Sequence, residues 1–243
     1  MNRLVPLPQY FHQTREHPCP YIPGQIEQRL VTGLEIADSS ALYSELSRVG
    51  FRRSHNLAYR PACRACSACK PVRIDAAGFV ASRSIRRLDQ INADLSVCDS
   101  EPIATPEQYR LFTRYQQARH GDSEMAGMSF AEFRMMIEGS PIETILASLR
   151  DRAGTLVATC LTDVLDDGVS AVYSYFEPGL PKRSLGTFLV RQLVNRVRRT
   201  DRRYVYLGYW IAQNPKMGYK TRFRPLEALG PGGWVLLDSD HGD

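Results

Sequence analysis

From Pro106 onward the chain reads as a succession that few folds accommodate: two helices, three strands, a helix and a strand. Pro106 suits a first helical position, and residues 107–119 place Phe112 and Tyr115 inward before His120-Gly121 ends the helix. Ser129 opens a second helix, SFAEFRMMIEG, as a capping box with Glu132. Residues 143–151, 155–164 and 169–176 read as strands. The turns between them, Asp151-Arg152-Ala153-Gly154 and Asp166-Asp167-Gly168, are short enough to force an antiparallel meander. A helix over 185–199 and a strand over 204–210 follow. Residues 213–234 form a basic segment punctuated by Pro and Gly, and Asp238, Asp240 and Asp243 make an acidic tail expected to be solvated.

That order is similar to the Gcn5-related acetyltransferase fold, so the fold class expected is α/β (α+β) with an acetyltransferase-like C-terminal core. In that fold an Arg/Gln-x-x-Gly-x-Gly/Ala loop holds the pyrophosphate of coenzyme A at a helix N-terminus. Here Arg183 and Gly186 fit it, while Phe188 stands where the close-approach glycine belongs. A donor other than acetyl coenzyme A is therefore expected.

The composition change around Pro102 and Pro106 places a boundary between residues 1–102, a smaller Cys-bearing domain, and residues 103–243. Before it, near-alternation over 26–36 predicts a strand. Asp38 and Ser39 cap a helix over 40–49 with Gly50 as its stop, and 72–74 and 79–82 read as short strands. Residues 84–95 fit helical and strand periods alike.

Within YRPACRACSACKPVR (59–73), Cys63, Cys66 and Cys69 recur every third residue, and two intervening residues let paired thiolates face one ion. Cys19, between Pro18 and Pro20, completes a set of four. Two readings stand for Cys19, Cys63, Cys66 and Cys69: a zinc or iron–sulfur centre, or a reduced turn whose thiols pack as small apolar groups. No run approaches the length of a membrane helix and the N-terminus lacks a signal-peptide core, so the cytosol is expected, where six cysteines argue against a disulfide framework.

Net charge is +5, and of 31 basic residues only Lys70, Lys182, Lys216 and Lys220 are lysines, so 27 are arginines. Arginine grips phosphate and carboxylate in bidentate fashion. Eight basic residues lie between Lys182 and Arg203 against Asp201 alone, with Arg191, Asn195, Arg198 and Arg202 on one helical face. Lys182, Arg183, Gly186, Arg191, Arg198, Lys220, Arg222 and Arg224 are the residues expected to meet a nucleic-acid backbone. Tyr219 and Phe223 offer rings to an unstacked base or belong to the core. No nucleophile elbow, HExxH site or P-loop is present, and the five histidines read as loop or cap residues.

CPYIPGQ (19–25), GFRRSHNLAYRPACRACSACKPVRI (50–74), SRSIRRLDQINADL (82–95), SYFEPGLPKRSLGTF (174–188) and the segments YLGYWI and KMGYKTRFRP (206–225) resemble the bacterial aminoacyl-tRNA–protein transferases that place leucine on N-terminal Asp or Glu. These are relatives of the eukaryotic arginyl-tRNA–protein transferases. The resemblance spans nearly the whole chain. It implies a cytoplasmic enzyme using leucyl-tRNA and proteins with N-terminal Asp or Glu, marking them for N-degron proteolysis, with no cofactor required for the chemistry. The eukaryotic relatives hold their metal or iron–sulfur centre with a CxxC and an adjacent Cys pair, whereas this chain has CPY and CxxCxxC. On that reading Tyr173, Tyr175, Tyr206 and Tyr209 are candidates to donate to the tetrahedral oxyanion or the departing ribose oxygen. A pair from Arg52, Arg53, Arg60 and Arg73 grips the acidic side chain. The alternatives are arginyl transfer, a non-catalytic RNA-binding module and a coenzyme A-dependent acetyltransferase.

Overall fold

A computed structural model describes residues 9–36, 38–121 and 123–237; the acidic tail from Asp238 lies outside them. The elements in order are β1 (His12–Gln13), β2 (His17–Pro18), β3 (Ile26–Glu27), β4 (Arg29–Gly33), α1 (Ser39–Arg48), β5 (Arg52–Ser54), β6 (Leu57–Pro61), β7 (Lys70–Asp75), α2 (Arg83–Ile91), β8 (Ser96–Ser100), α3 (Pro106–His120), α4 (Phe130–Glu138), β9 (Thr144–Arg150), β10 (Leu156–Val164), β11 (Gly168–Phe176), α5 (Leu185–Val197), β12 (Tyr204–Trp210), β13 (Leu226–Gly230) and β14 (Gly233–Leu236).

The meander forms as expected, β9 to β11 pairing antiparallel in chain order. Thr105 caps α3 in a box with Gln108, and Ser129 caps α4 in a box with Glu132. α5 then crosses to β12, which runs parallel to β11 through the pairs Gly168↔Tyr204, Val169↔Val205 and Ser170↔Tyr206 and no further. The two strands splay beyond that point. This is the acetyltransferase-like core: helices, meander, crossover helix and a parallel strand that opens away. Leu185, Phe188, Leu189, Leu193 and Val197 of α5 are buried against the sheet, each contributing about 1.5–3 kcal/mol relative to exposure.

The large sheet has eight strands in the order β14-β13-β7-β12-β11-β10-β9-β8. β7 and β8, both N-terminal to residue 102, run within it. A smaller sheet, β1-β4-β6-β5, packs alongside together with α1: Ala58 of β6, Phe51 before β5 and Tyr43 and Leu46 of α1 share a cluster with Tyr206.

Four local expectations change. Residues 79–82 are not a strand: Phe79 enters the core and Ser82 accepts from the Ile85 N–H as the cap of α2. Residues 84–91 fall in α2, where Ile85 and Leu88, three apart, are the only buried side chains, and a turn follows at 92–94. The segment 213–234 hides β13 and the start of β14, which pair as a hairpin. Asp38 precedes α1 without a side-chain cap.

Asp75 closes the turn after β7, accepting from Arg203 Nε and Nη2 at 3.1 and 2.7 Å and from the Ala77 and Gly78 amides. The Arg203 hydrogen bonds, ahead of the opposing effect of burial, hold its carboxyl below the usual carboxylate range. A depressed carboxyl contributes stability above its unfolded pKa, near 4, and loses it as pH falls through the folded value. Asp75→Asn is therefore expected to melt below wild type at pH 7, with the gap closing towards pH 2. A gap of constant size across that range would contradict it.

Candidate functional site

Where β11 and β12 part, backbone groups lose their ladder partners and side chains take their place. Arg52, from β5, donates through Nη1 to Ser170 Oγ at 2.8 Å and through Nη2 to the Ala171 carbonyl. Its guanidinium lies over Gly208, whose φ of +75° and lack of a side chain are both required: a Cβ there would stand 3.0 Å from Arg52 Nε. Lys220 donates its Nζ to the Tyr209 carbonyl and is only 7% exposed. Burial, and secondarily Arg52, bring its pKa down to about 7. Tyr219 beside it is pushed up to about 12, chiefly by burial.

Next to the splay is a cavity of about 500 Å³, lined among others by Cys19, Tyr21, Glu27, Arg60, Cys63, Cys66, Cys69 and Lys70. Arg60 is exposed, its guanidinium 5.2 Å from the centre of the Phe51 ring and donating to the Val49 carbonyl. Lys70 begins β7 and pairs in register with Trp210, the last residue of β12. Glu27 is held by Arg29 through two hydrogen bonds of 2.5 and 3.1 Å. The cavity thus carries two cations with no ion-pair partner among the described residues, and one carboxylate already engaged.

The four cysteines line this cavity together, yet among the described residues no group of three or more His, Cys, Asp or Glu side chains is disposed to hold a metal ion. All four thiols are free and half-buried. Burial, reinforced by the neighbouring Cys19, Cys63 and Cys66, pushes the Cys69 thiol up to about 11, so it stays protonated at neutral pH. Cys63 Sγ donates to the Gln28 carbonyl at 3.7 Å. Metal ligation needs thiolates converging on one point. As placed, the set fits the packed-turn reading.

The arginines expected to grip an acidic side chain do not come together. Arg53 is 4% exposed and makes a bidentate pair with Asp163, Nε to Oδ2 at 2.9 Å and Nη2 to Oδ1 at 2.6 Å. Arg73 donates to Glu227 at 2.7 Å and lies 3.5 Å from the Tyr204 ring centre and 4.2 Å from that of Trp234. Arg52 fills the splay. Arg60 alone of the four lines the cavity.

The tyrosines divide similarly. Tyr175 is 0% exposed among Phe112 and Phe133. Tyr173 Oη accepts from Gln116 at 2.6 Å. Tyr206 donates to Asp167 at 3.0 Å and accepts from Arg73, and Tyr209 Oη lies 3.0 and 3.1 Å from the carbonyls of Gly50 and Tyr59. Burial raises the pKa of each hydroxyl. Tyr206 and Tyr209 tie the N-terminal elements to β12, and none of the four lines the cavity.

Of the expected backbone-binding residues, Arg183 pairs bidentately with Asp94 at 2.8 Å and Arg191 with Asp89 at 3.2 Å, while Lys220 is buried. Lys182, Arg198, Arg222 and Arg224 are exposed. They are dispersed, Lys182 before and Arg198 after the three and a half turns of α5. Phe223 is core at 0% exposure. Phe188 likewise points inward, so it does not itself obstruct the loop; the ring packed on Gly186 is Phe176, whose Cε1 would lie 2.8 Å from a Cβ there. Lys70 and Glu27 were not singled out from the sequence. The adjacency of Lys70 to Cys69 was the available signal.

The sheet thus opens at its parallel strands, with a cavity carrying Arg60 and Lys70 at the end of β12. Family models described as arginine-tRNA-protein transferase, N terminus and C terminus, match residues 17–87 and 107–230, and the chain belongs to that family. It is 50% identical over 227 residues, 93% of either chain, to the aspartate/glutamate leucyltransferase of Paramagnetospirillum magneticum. It is 49% identical to that of Rhodospirillum rubrum, over 95% of this chain and 94% of the other. Among solved structures it is similar, with a TM-score of 0.43 and 17% identity, to the C-terminal domain of a putative lysylphosphatidylglycerol synthetase from Agrobacterium fabrum, covering 60% of this chain and 48% of that one.

Proposed function

We propose that the protein transfers leucine from leucyl-tRNA to the α-amine of proteins beginning with Asp or Glu, creating an N-degron, and that it does so in the cytoplasm. No helix of the described residues is long and apolar enough to cross a membrane. The observation that carries the reading is the cavity holding Arg60 and Lys70 at the end of β12, beside the splay. Two cations suit the side-chain carboxylate of an N-terminal Asp or Glu. The leucyl ester of tRNA is already activated, so positioning the amine against it accounts for most of the work. Of the residues expected to meet a nucleic-acid backbone, Lys182, Arg198, Arg222 and Arg224 are exposed and free to meet tRNA phosphates.

The test is to incubate the protein with Asp-, Glu- and Ala-starting peptides and separately charged leucyl- and arginyl-tRNA, and to measure peptide mass. One added leucine on the acidic peptides alone is expected. Arginine addition would favour the donor in the family description instead, and no addition from either tRNA would end the reading.

A charge-assisted hydrogen bond contributes about 1.5–3 kcal/mol. Arg60→Ala is accordingly expected to raise KM for an Asp-starting peptide roughly ten- to hundred-fold, with kcat little changed. An unaltered KM would remove Arg60 from substrate binding.

A further inference from the structure

The splay contains one buried cation with no counter-charge among the described residues, Lys220. The other buried cations are neutralised: Arg53 by Asp163 and Arg73 by Glu227. Lys220 is nearly buried and has no carboxylate partner among the described residues to compensate its charge. Its hydrogen-bond partner is a single backbone carbonyl, that of Tyr209, and the charge facing it is the like charge of Arg52 from β5. The remaining titratable groups of this cluster are the hydroxyls of Tyr209 on β12, Tyr219 on its own segment and Tyr115 on α3, and the thiol of Cys160 on β10. None supplies a negative charge, since burial holds the Cys160 thiol at about 11 and raises the Tyr115 hydroxyl. An ammonium in this place is costly and an uncharged amine is not. Lys70 of the cavity and the Tyr209 carbonyl that anchors Lys220 lie at the same end of β12.

Resting on the leucyl-transfer reading, we propose that Lys220 Nζ is the catalytic base that takes the first proton from the α-ammonium of the acceptor protein. The α-ammonium must lose a proton before it can attack. That first proton passes to Nζ and later to water. The nitrogen then bonds to the ester carbonyl carbon. As the carbon–oxygen bond to the ribose breaks, the second proton passes from nitrogen to the departing oxygen, and the third stays on the new amide. With Nζ near 7 and an α-ammonium near 8, the two groups are matched within about one unit, as general base catalysis at neutral pH requires.

The experiment is single-turnover leucine transfer to an Asp-starting peptide between pH 5.5 and 9, with wild type and Lys220→Arg. Arginine keeps a donor for the Tyr209 carbonyl but never deprotonates. The variant is expected to bind leucyl-tRNA as wild type does, to lose about 10²–10³-fold in rate at pH 7, and to lose the rate inflection near pH 7. A rate within threefold of wild type with that inflection intact overturns the proposal. A second measurement on wild type alone covers a variant that fails to fold. An aminooxy-terminated acceptor is unprotonated across this range, so its transfer is expected to show no inflection near pH 7. An inflection retained with that acceptor also overturns the proposal. No leucine transfer by wild type in any arm overturns the transferase reading, and this one with it.

Discussion

Replacing Asp163 by alanine is expected to lower the unfolding free energy by about 3–5 kcal/mol. Both members of the pair are sealed, the Arg53 side chain 1% and that of Asp163 0% exposed. Asp163 also accepts from Thr144 Oγ1 at 3.1 Å, and the third arm of Arg53 is satisfied by the His55 carbonyl at 2.8 Å. Removing the carboxylate leaves a guanidinium that cannot shed its proton in an interior with no replacement acceptor. Removing both charges is a different matter, because two apolar side chains recover desolvation that the pair itself gives up. Arg53→Met/Asp163→Leu is expected to regain most of the loss. Denaturant titration of the two variants checks both halves, and a deficit under 1 kcal/mol for Asp163→Ala would mean that the pair is not sealed.

Gly168→Ala is expected to cost more than about 4 kcal/mol, which places it among exceptional single substitutions. A Cβ at Gly168 would be driven into the carbonyl oxygen of Tyr204, its partner in the parallel pairing. Backbone cannot swing aside as a flexible side chain does. Gly168 is also fixed on its other side, its carbonyl accepting from the Leu165 N–H at 2.9 Å in the turn that starts β11. The three parallel pairs that begin at Gly168 set where β11 and β12 part, so whatever protein survives should have lost leucine transfer as well. A thermal midpoint within a few degrees of wild type would show that the strands can separate at that point without penalty.

Local chemistry made the C-terminal core readable. Two tight turns force the meander, Pro106 and the Ser129–Glu132 box start helices, and the apolar face of α5 has only one sheet to cover. What stayed hidden depends on partners remote in the chain. Arg53, Arg73, Arg183 and Arg191 look like free cations in the sequence, but their carboxylates lie 110, 154, 89 and 102 residues away. Spacing along the chain says nothing about such pairs. The arginine excess therefore pointed to an anionic partner while overstating how many arginines remain to meet one. The cysteine spacing was legible as a cluster, and the four thiols do line one cavity. Whether they converge on a point is decided by backbone torsions that the sequence does not reveal. Lys220 read as one more exposed base because it lies among Lys216, Arg222 and Arg224. Only the fold turns it inward.

The position of β7 bears on how the protein is made. Its neighbours in the sheet are β12 and β13, and Arg203, which secures its final turn, lies 128 residues beyond Asp75. When β7 leaves the ribosome, neither strand that will flank it exists, so its apolar residues Val72 and Ile74 must wait until Tyr204–Trp210 and Leu226–Gly230 have been made. Non-local pairing of this kind is slow to form and exposes strand edges meanwhile. Assembly of the large sheet therefore lags well behind the synthesis of β7, and a chain truncated before Tyr204 is left with an unpartnered strand exposed to chaperones and proteases.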